Sequence, residues 1–525
     1  MIACVGEMPP PPQLTVTSPK RGMVQSGAGR VTVTGTTQPG TDGSRVTKVS
    51  VNKVPATLAA DGSFTADVEL RDGAMLLETT AISAEGGSAI DARAVQVGQL
   101  RPVGTNIERA VTASLSADAF ARLSAAAGPL VKAADFNKLL APLQPMANLG
   151  DSIANLKLSI TKFSLGNAKI TLTPVDGGLE FSAQIDGLSV AASAAYGGAL
   201  VPDGTTTVNV TADQITIAGT LVVTPAGTAG FTTKITAPIV HTTALRLQAS
   251  GLAGQVLDLL NTNLSSTVQS ITTRSAERAL EPLINAALGA LAGPQRIAVL
   301  GETLEIQASP AGITFSRAGA LVTMNVQAKL AGSESSPGYI FTPNGTPTMN
   351  VSNGIQLGLA DDLINELLAE VHALGKLDIH VQEDFGLFDT ADIKLSLPPM
   401  VSANNADGSM RLVLGDMIAT FTDNGKTVIS AAINAEVDLE IERGTTPQEI
   451  ALQFGKVHVF VNVLGDTSSE VGDLTGAANA GIALQLDSLS ELLIKVPVPS
   501  VAGVTLDSLA LRADSGYVLV SGKVH

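Results

Sequence analysis

Residues 251–292, GLAGQVLDLLNTNLSSTVQSITTRSAERALEPLINAALGALA, decide how this chain folds. Apolar side chains recur at helical spacing through Leu252, Val256, Leu259, Leu260, Leu264, Val268 and Ile271, then through Leu280, Leu283, Ile284, Ala287, Leu288 and Leu291. At a rise of ~1.5 Å per residue, such a rod spans on the order of 60 Å. Pro282 is expected to kink it or to open a second helix after Glu281. A compact sandwich does not cover an apolar stripe of that length, so a long curved sheet is required beside it. The stretch holds no aromatic residue, and the surface it offers is aliphatic.

Strand patterns precede the rod. Segments 156–163, 169–174, 179–185, 188–196, 206–211, 214–223, 230–235 and 239–247 alternate apolar and polar residues, as in LKLSITKF and LEFSAQID, so one face is buried and the other wetted. Before them come a strand at 110–115 and a helix or helix pair at 117–146, interrupted near Gly128-Pro129 and Pro142. Phe120, Leu123, Leu130, Val131, Phe136, Leu139, Leu140 and Leu143 form its apolar side. After the rod, 295–300 and 313–330 read as strands.

The run 156–196, LKLSITKFSLGNAKITLTPVDGGLEFSAQIDGLSVAASAAY, resembles the opening sheet of the bactericidal/permeability-increasing protein family, the tubular lipid-binding superfamily. The likeness continues through LGLADDLINELLAEVHALGKLDIHV (357–381), SLPPMVSANNADGSMRLVLGDM (396–417) and the closing VPVPSVAGVTLDSLALRADSGYVLVSGKVH (496–525), in the same order. The resemblance implies an α+β fold. Two elongated antiparallel β-barrels, each wrapped with a long helix, would be joined by a central sheet into a boomerang-like body. The barrels would occupy 105–330 and 331–525, with a linker at 332–348 and an amphipathic helix at 360–374 that turns Leu363, Ile364, Leu367, Leu368 and Val371 inward. A further short helix is expected at 487–494.

Ahead of this body, 14–98 carries six short alternating segments separated by turn residues such as Asp61-Gly62 and Glu85-Gly86-Gly87. It resembles bacterial immunoglobulin-like modules and is read as a spacer. Residues 1–13 begin Met1-Ile2-Ala3-Cys4 and continue as the Pro-rich GEMPPPPQ. This is similar to the acylated start of a bacterial lipoprotein and its tether, which makes Cys4 a candidate lipid anchor and implies an outer-membrane lipoprotein of the bacterial cell envelope, periplasmic or surface-facing.

Composition narrows the function. Of 525 residues, 45% are hydrophobic, 15% charged and 3% aromatic, and 51 are glycine, which suits sheets packed through small side chains. A net charge of −16 argues against nucleic acid, which is bound mainly through Lys and Arg on phosphate, and equally against electrostatic docking on anionic lipid. One cysteine excludes an internal disulfide or a thiolate metal cluster. Gly150-Asp151-Ser152-Ile153 looks like a hydrolase nucleophile block, but Asp378-Ile379-His380 is one residue short of the partner motif. Asn424-Gly425-Lys426-Thr427 lacks the leading glycine of a phosphate loop. His241, His372, His380, His458 and His525 match no zinc spacing, and the Asp361-Asp362 pair reads as helix-start charge.

The expectation is therefore a non-enzymatic monomer without cofactor or metal that binds and transfers phospholipid or another long-chain amphiphile. The lipid would lie between helix and sheet, against Leu139, Leu143, Val256, Leu260, Leu264 and Ile271 in the first barrel and Leu363, Leu367 and Val371 in the second. A surface-anchored structural or adhesive protein with closed barrels is the alternative.

Overall fold

The structure, a computed structural model, describes residues 9–133, 135–251, 254–288, 293–349, 354–382, 388–403, 410–443, 449–466, 486, 496–497 and 506–524. Two sheets face each other near the N-terminus. One runs Gln13–Ser18, Gly29–Gln38, Ser63–Leu70, Thr57–Leu58; the other runs Met23–Gln25, Ser88–Val97, Gly73–Ser83, Val46–Val51, Val54–Pro55. Alternate residues point inward, and Val33, Val51, Phe64, Leu70, Leu77 and Val95 meet in one core.

Strand β1 (Ile107–Ser116) then leads into α1 (Ala117–Ala133), which runs through Pro129, and α2 (Phe136–Leu140). The Asp135 side chain caps α2 by accepting from the Lys138 amide at 3.2 Å. The meander follows as β2 (Asn155–Ser164), β3 (Ala168–Val175), β4 (Gly178–Gly198), β5 (Val201–Pro225) and β6 (Phe231–Thr243), all antiparallel. Four of the expected strands fuse into two: β4 has 21 residues and β5 has 25. Gly187, in the break between two of the expected strands, takes φ +67 inside the ladder. The register is unchanged across it, with Asp186 opposite Gln214 and Leu188 opposite Ala212.

Helix α3 (Gly254–Leu288) closes this sheet into a half-barrel. Its 35 residues span about 52 Å, and it passes through Pro282 without dividing. Pro282 is exposed, so the carbonyl that loses its helical partner there faces water. Beyond α3, strands β7 (Glu302–Ser316) and β8 (Gly319–Leu330) join a seven-stranded central sheet. Its order is Gly293–Val299, β7, β8, β1, then β9 (Ile355–Ala360), Tyr517–Val524 and Leu506–Asp514.

The second half departs from expectation. Its sheet runs Ile379–Gln382, Thr390–Leu395, β10 (Met410–Asp423), β11 (Lys426–Arg443), β12 (Glu449–Asp466) and Val496–Pro497, with Met400–Ser402 paired to β10. The helix described in this half is α4 (Asp361–Ala373), 13 residues or about 20 Å, against strands of 14 to 18 residues, about 46–60 Å. It is too short to wrap them, and it is buried around most of its circumference at the joint with the first half. The stretch 487–494, expected as a helix, lies outside the described residues. Strands hold 62% and helices 16%: the fold is β-rich with one half-barrel, and the expected α+β pair of helix-wrapped barrels is not formed.

The N-terminal sandwich is not a free spacer either. The Arg21 guanidinium donates to Asp416 on β10 at 2.9 Å and to the Ala92 carbonyl at 2.7 Å. Asp416, fully buried, also accepts from the amides of Gly22 at 2.8 Å and Ala94 at 3.2 Å. Asn462 on β12 accepts from the Ala92 amide at 3.0 Å, and Gln96 donates to the Pro398 carbonyl at 2.6 Å. The sandwich is thereby fastened to the second sheet.

Candidate functional site

The seam between α3 and the half-barrel sheet is built in two parts. Toward the N-terminal end of α3, Val256 and Leu260 are buried against Leu156, Leu158, Ala194, Val201 and Val208 in a small core of their own. Leu264 and Ile271 are partly buried against the main core. These four positions lie on the inner face as expected, but they are packed.

Further along, the helix presents Thr272, Ser275, Ala276, Ala279 and Leu280, at spacings that place them on one face. Opposite stand Val131 of α1, Phe136 of α2, and Phe163, Ile170, Phe181, Leu188 and Ile215 of the sheet. The Phe136 and Phe163 rings meet at 5.1 Å. Ser275, Ala276 and Ala279 are too short to reach across, and a cavity of about 30 Å³ remains. The Ser275 hydroxyl is spent on the Ile271 carbonyl at 2.7 Å, so it does not call for water. The lining is otherwise apolar except for Thr272.

The two edges of α3 differ in chemistry. Toward β6, Asn285 accepts from the Phe231 amide at 2.6 Å and donates to its carbonyl at 2.9 Å, Glu277 accepts from the Ile235 amide at 2.9 Å, and Gln269 donates to the Pro238 carbonyl at 3.3 Å. Helix side chains thus satisfy the outer edge of the last strand. Toward α1 and α2, the residues that border the cavity are apolar.

The remaining expected positions divide. The side chains of Leu139 and Leu143, and Cys4 as a whole, lie outside the described residues. Leu363 is partly buried between both cores, Leu367 is partly buried in the second, and Val371 is fully buried there. These three fill core and line no opening in the seam described above. Asp151 forms a turn by accepting from the amides of Ile153 and Ala154, and Asn424-Gly425 forms a two-residue hairpin between β10 and β11 with both φ values positive. Among the described residues, no three of His, Cys, Asp or Glu are placed to hold a metal. The feature that sequence reading missed is the small-residue face 275–279. Its signal was present as a gap in the apolar stripe between Ile271 and Leu280.

No family model and no curated protein matches the chain. Among solved structures it is similar to a lipopolysaccharide binding protein, at 11% identity over 80% of this chain and 99% of that one, with a TM-score of 0.40. It is also similar to P47 of Clostridium botulinum E1, at 7% identity over 80% of this chain and 100% of that one, with a TM-score of 0.27. Superpositions this loose settle neither fold nor ligand. Of the expected family resemblance, what stands is this coarse likeness, with no sequence-family match beside it.

Proposed function

We propose that the chain binds a long-chain amphiphile, a phospholipid or similar acyl lipid, in the seam between α3 and the half-barrel sheet, and passes it on without making or breaking bonds. The observation that carries this reading is the apolar-lined gap beneath Ser275, Ala276 and Ala279. Burying methylene groups there is favourable by ~0.8 kcal/mol each, so tails of about 16 carbons supply a large driving force before ordering costs are subtracted. A gap of about 30 Å³ holds no such tail as it stands. Loading therefore requires α3 to lift from α1 and α2, where contacts are apolar, while the hydrogen-bonded edge along β6 acts as the hinge.

The narrowness of the gap, the packing of Leu363, Leu367 and Val371 among the described residues of the second half and the fastened sandwich favour a second reading, a closed structural or adhesive protein. Native mass spectrometry after mild purification separates the two. Co-purifying lipid supports the first, and Ala279→Leu, which fills the gap, is expected to lower the lipid-bound fraction at least tenfold without lowering the unfolding midpoint. A homogeneous lipid-free mass from a lipid-rich host supports the second, and an undiminished bound fraction in Ala279→Leu moves the lipid elsewhere.

Attachment to a bacterial envelope membrane through an acylated Cys4 belongs to the same proposal, which rests here on the Cys4 context and the Pro-rich segment after it. Cys4→Ser is expected to shift the protein from the membrane fraction to the soluble fraction. Membrane association that survives the substitution removes the anchor from the reading.

A further inference from the structure

Helix α4 carries a row of acidic side chains that are buried rather than wetted. Asp361, Asp362, Glu366 and Glu370 are each 2% exposed or less. Asp362, Glu366 and Glu370 are four residues apart and share one stripe of the helix. Each acid holds the backbone of a different segment. Glu370 accepts from the Leu330 amide at 3.0 Å and the Ser333 hydroxyl at 2.8 Å, where β8 ends. Glu366 accepts from the Gly104 amide at 2.7 Å, in the connection leaving the sandwich. Asp362 accepts from the Thr342 amide at 2.9 Å and the Asn344 side chain at 3.3 Å, in the segment that crosses to the second half. Asp361 accepts from the Ala403 amide at 3.0 Å.

The second oxygens of Asp361, Glu366 and Glu370 are buried without a hydrogen-bond partner, as is the Tyr339 hydroxyl. Around them stand Arg101, beside Asp362 and Tyr339 and held over the Phe341 ring at 3.3 Å; Lys329, beside Glu370 and paired with Glu334 at 3.4 Å; and Tyr517, near the two aspartates, with Arg109 beside it. Among the described residues, no cation comes within 4.0 Å of the four carboxyls. Four charges in that setting are disfavoured, because the hydrogen bonds each carboxyl accepts offset only part of its desolvation.

We propose that this row is a pH-operated clasp: with protons on the stripe, α4 holds the connection at 99–105, the end of β8 and the crossing segment at 333–344 in one joint, and loss of the protons loosens the joint where sandwich, half-barrel and second sheet meet. Burial is the largest cause at every member. It pushes Asp361 up to about 7, Asp362 to about 6 and Glu366 to about 8, and Glu370 upward, with neighbouring carboxyls adding to the rise at Asp361 and Glu366. The folded joint therefore binds more protons than the open one between the ordinary carboxyl range and these raised values. Its stabilisation is present in full below the ordinary values of 3.8 and 4.5 and is lost as pH rises through about 6 to 8.

Amide hydrogen exchange on the full chain tests this, with rates corrected for intrinsic chemistry. From pH 5.5 to 8.5, opening at Gly104, Leu330 and Thr342 is expected to rise about tenfold per pH unit for each carboxyl that titrates, while amides of β4 and β5 keep their protection. Glu366→Gln keeps the shape without the titration, and the slope at Gly104 is expected to fall by about tenfold per pH unit. Protection that does not change with pH, an equal slope in β4 and β5, or an unchanged slope in Glu366→Gln overturns the clasp. Should the variant fail to fold, the wild-type comparison between joint and half-barrel decides alone.

Discussion

Asp416→Ala is expected to destabilise the folded chain by about 3–5 kcal/mol, the cost of breaking a buried pair from one side. Asp416 gathers four donors at once: Arg21, the amides of Gly22 and Ala94, and the Asn434 side chain at 3.1 Å. Alanine leaves both amides without an acceptor, and it leaves Arg21 with only Asp91, at 3.2 Å, for its charge. The residue also sits at φ +44 where the β10–β11 ladder shifts register, a conformation that Asp and Asn adopt more readily than Ala. Asp416→Asn separates the two effects: it keeps the backbone preference and most of the shape, and is expected to cost about 1–3 kcal/mol. Urea midpoints measure the loss. Limited proteolysis locates it, because a released sandwich exposes the connection at 98–106 to early cleavage. A loss below about 1 kcal/mol for alanine, with that connection still protected, would show that the sandwich is held by its apolar contacts and not by this network.

That network was invisible in the sequence, and the reason is plain. Arg21 and Asp416 are 395 positions apart, and neither carries a local signal that it will be buried. What was legible was periodic. The 3.6-residue pattern located α3 to within a few residues, and the alternation of 156–247 located the sheet it closes. The division into 179–185 and 188–196 misled because the alternation breaks at Asp186-Gly187, and here Gly187 carries one strand through at positive φ. The second half misled more deeply. Leu363, Leu367 and Val371 make a sound amphipathic stripe, and the Asp361-Asp362 pair beside it reads as helix-start charge. Pattern reading assumes that charge faces water. Around α4 the connecting segments return to cover the charges, which only the three-dimensional chain path reveals. The small-residue face of α3 was missed for the opposite reason: Ser275, Ala276 and Ala279 read as filler in a helix, whereas in the packed molecule a missing side chain is itself a feature.

Leu280→Ala asks whether that feature is a binding seam or a flaw in packing. Leu280 is 1% exposed and borders the gap next to Ala276 and Ala279. Truncating it is expected to cost about 2–5 kcal/mol in lipid-free protein and to widen the gap. Phe120→Ala is the companion, buried against Phe315 at 6.2 Å and away from the gap, with an expected cost of about 3–5 kcal/mol. Both variants unfold earlier for reasons that have nothing to do with lipid. Their response to a ligand differs. An amphiphile that binds only the folded state stabilises it by ~2.7 kcal/mol at a hundredfold excess over its Kd, and the widened seam admits the tail with less displacement of α3. Added lysophospholipid, kept below its micelle concentration, is therefore expected to raise the unfolding midpoint of Leu280→Ala by more than that of the wild type or of Phe120→Ala. If the midpoint of Leu280→Ala does not move while the truncation cost is as large as expected, the seam is ordinary core, and the closed, structural reading takes its place.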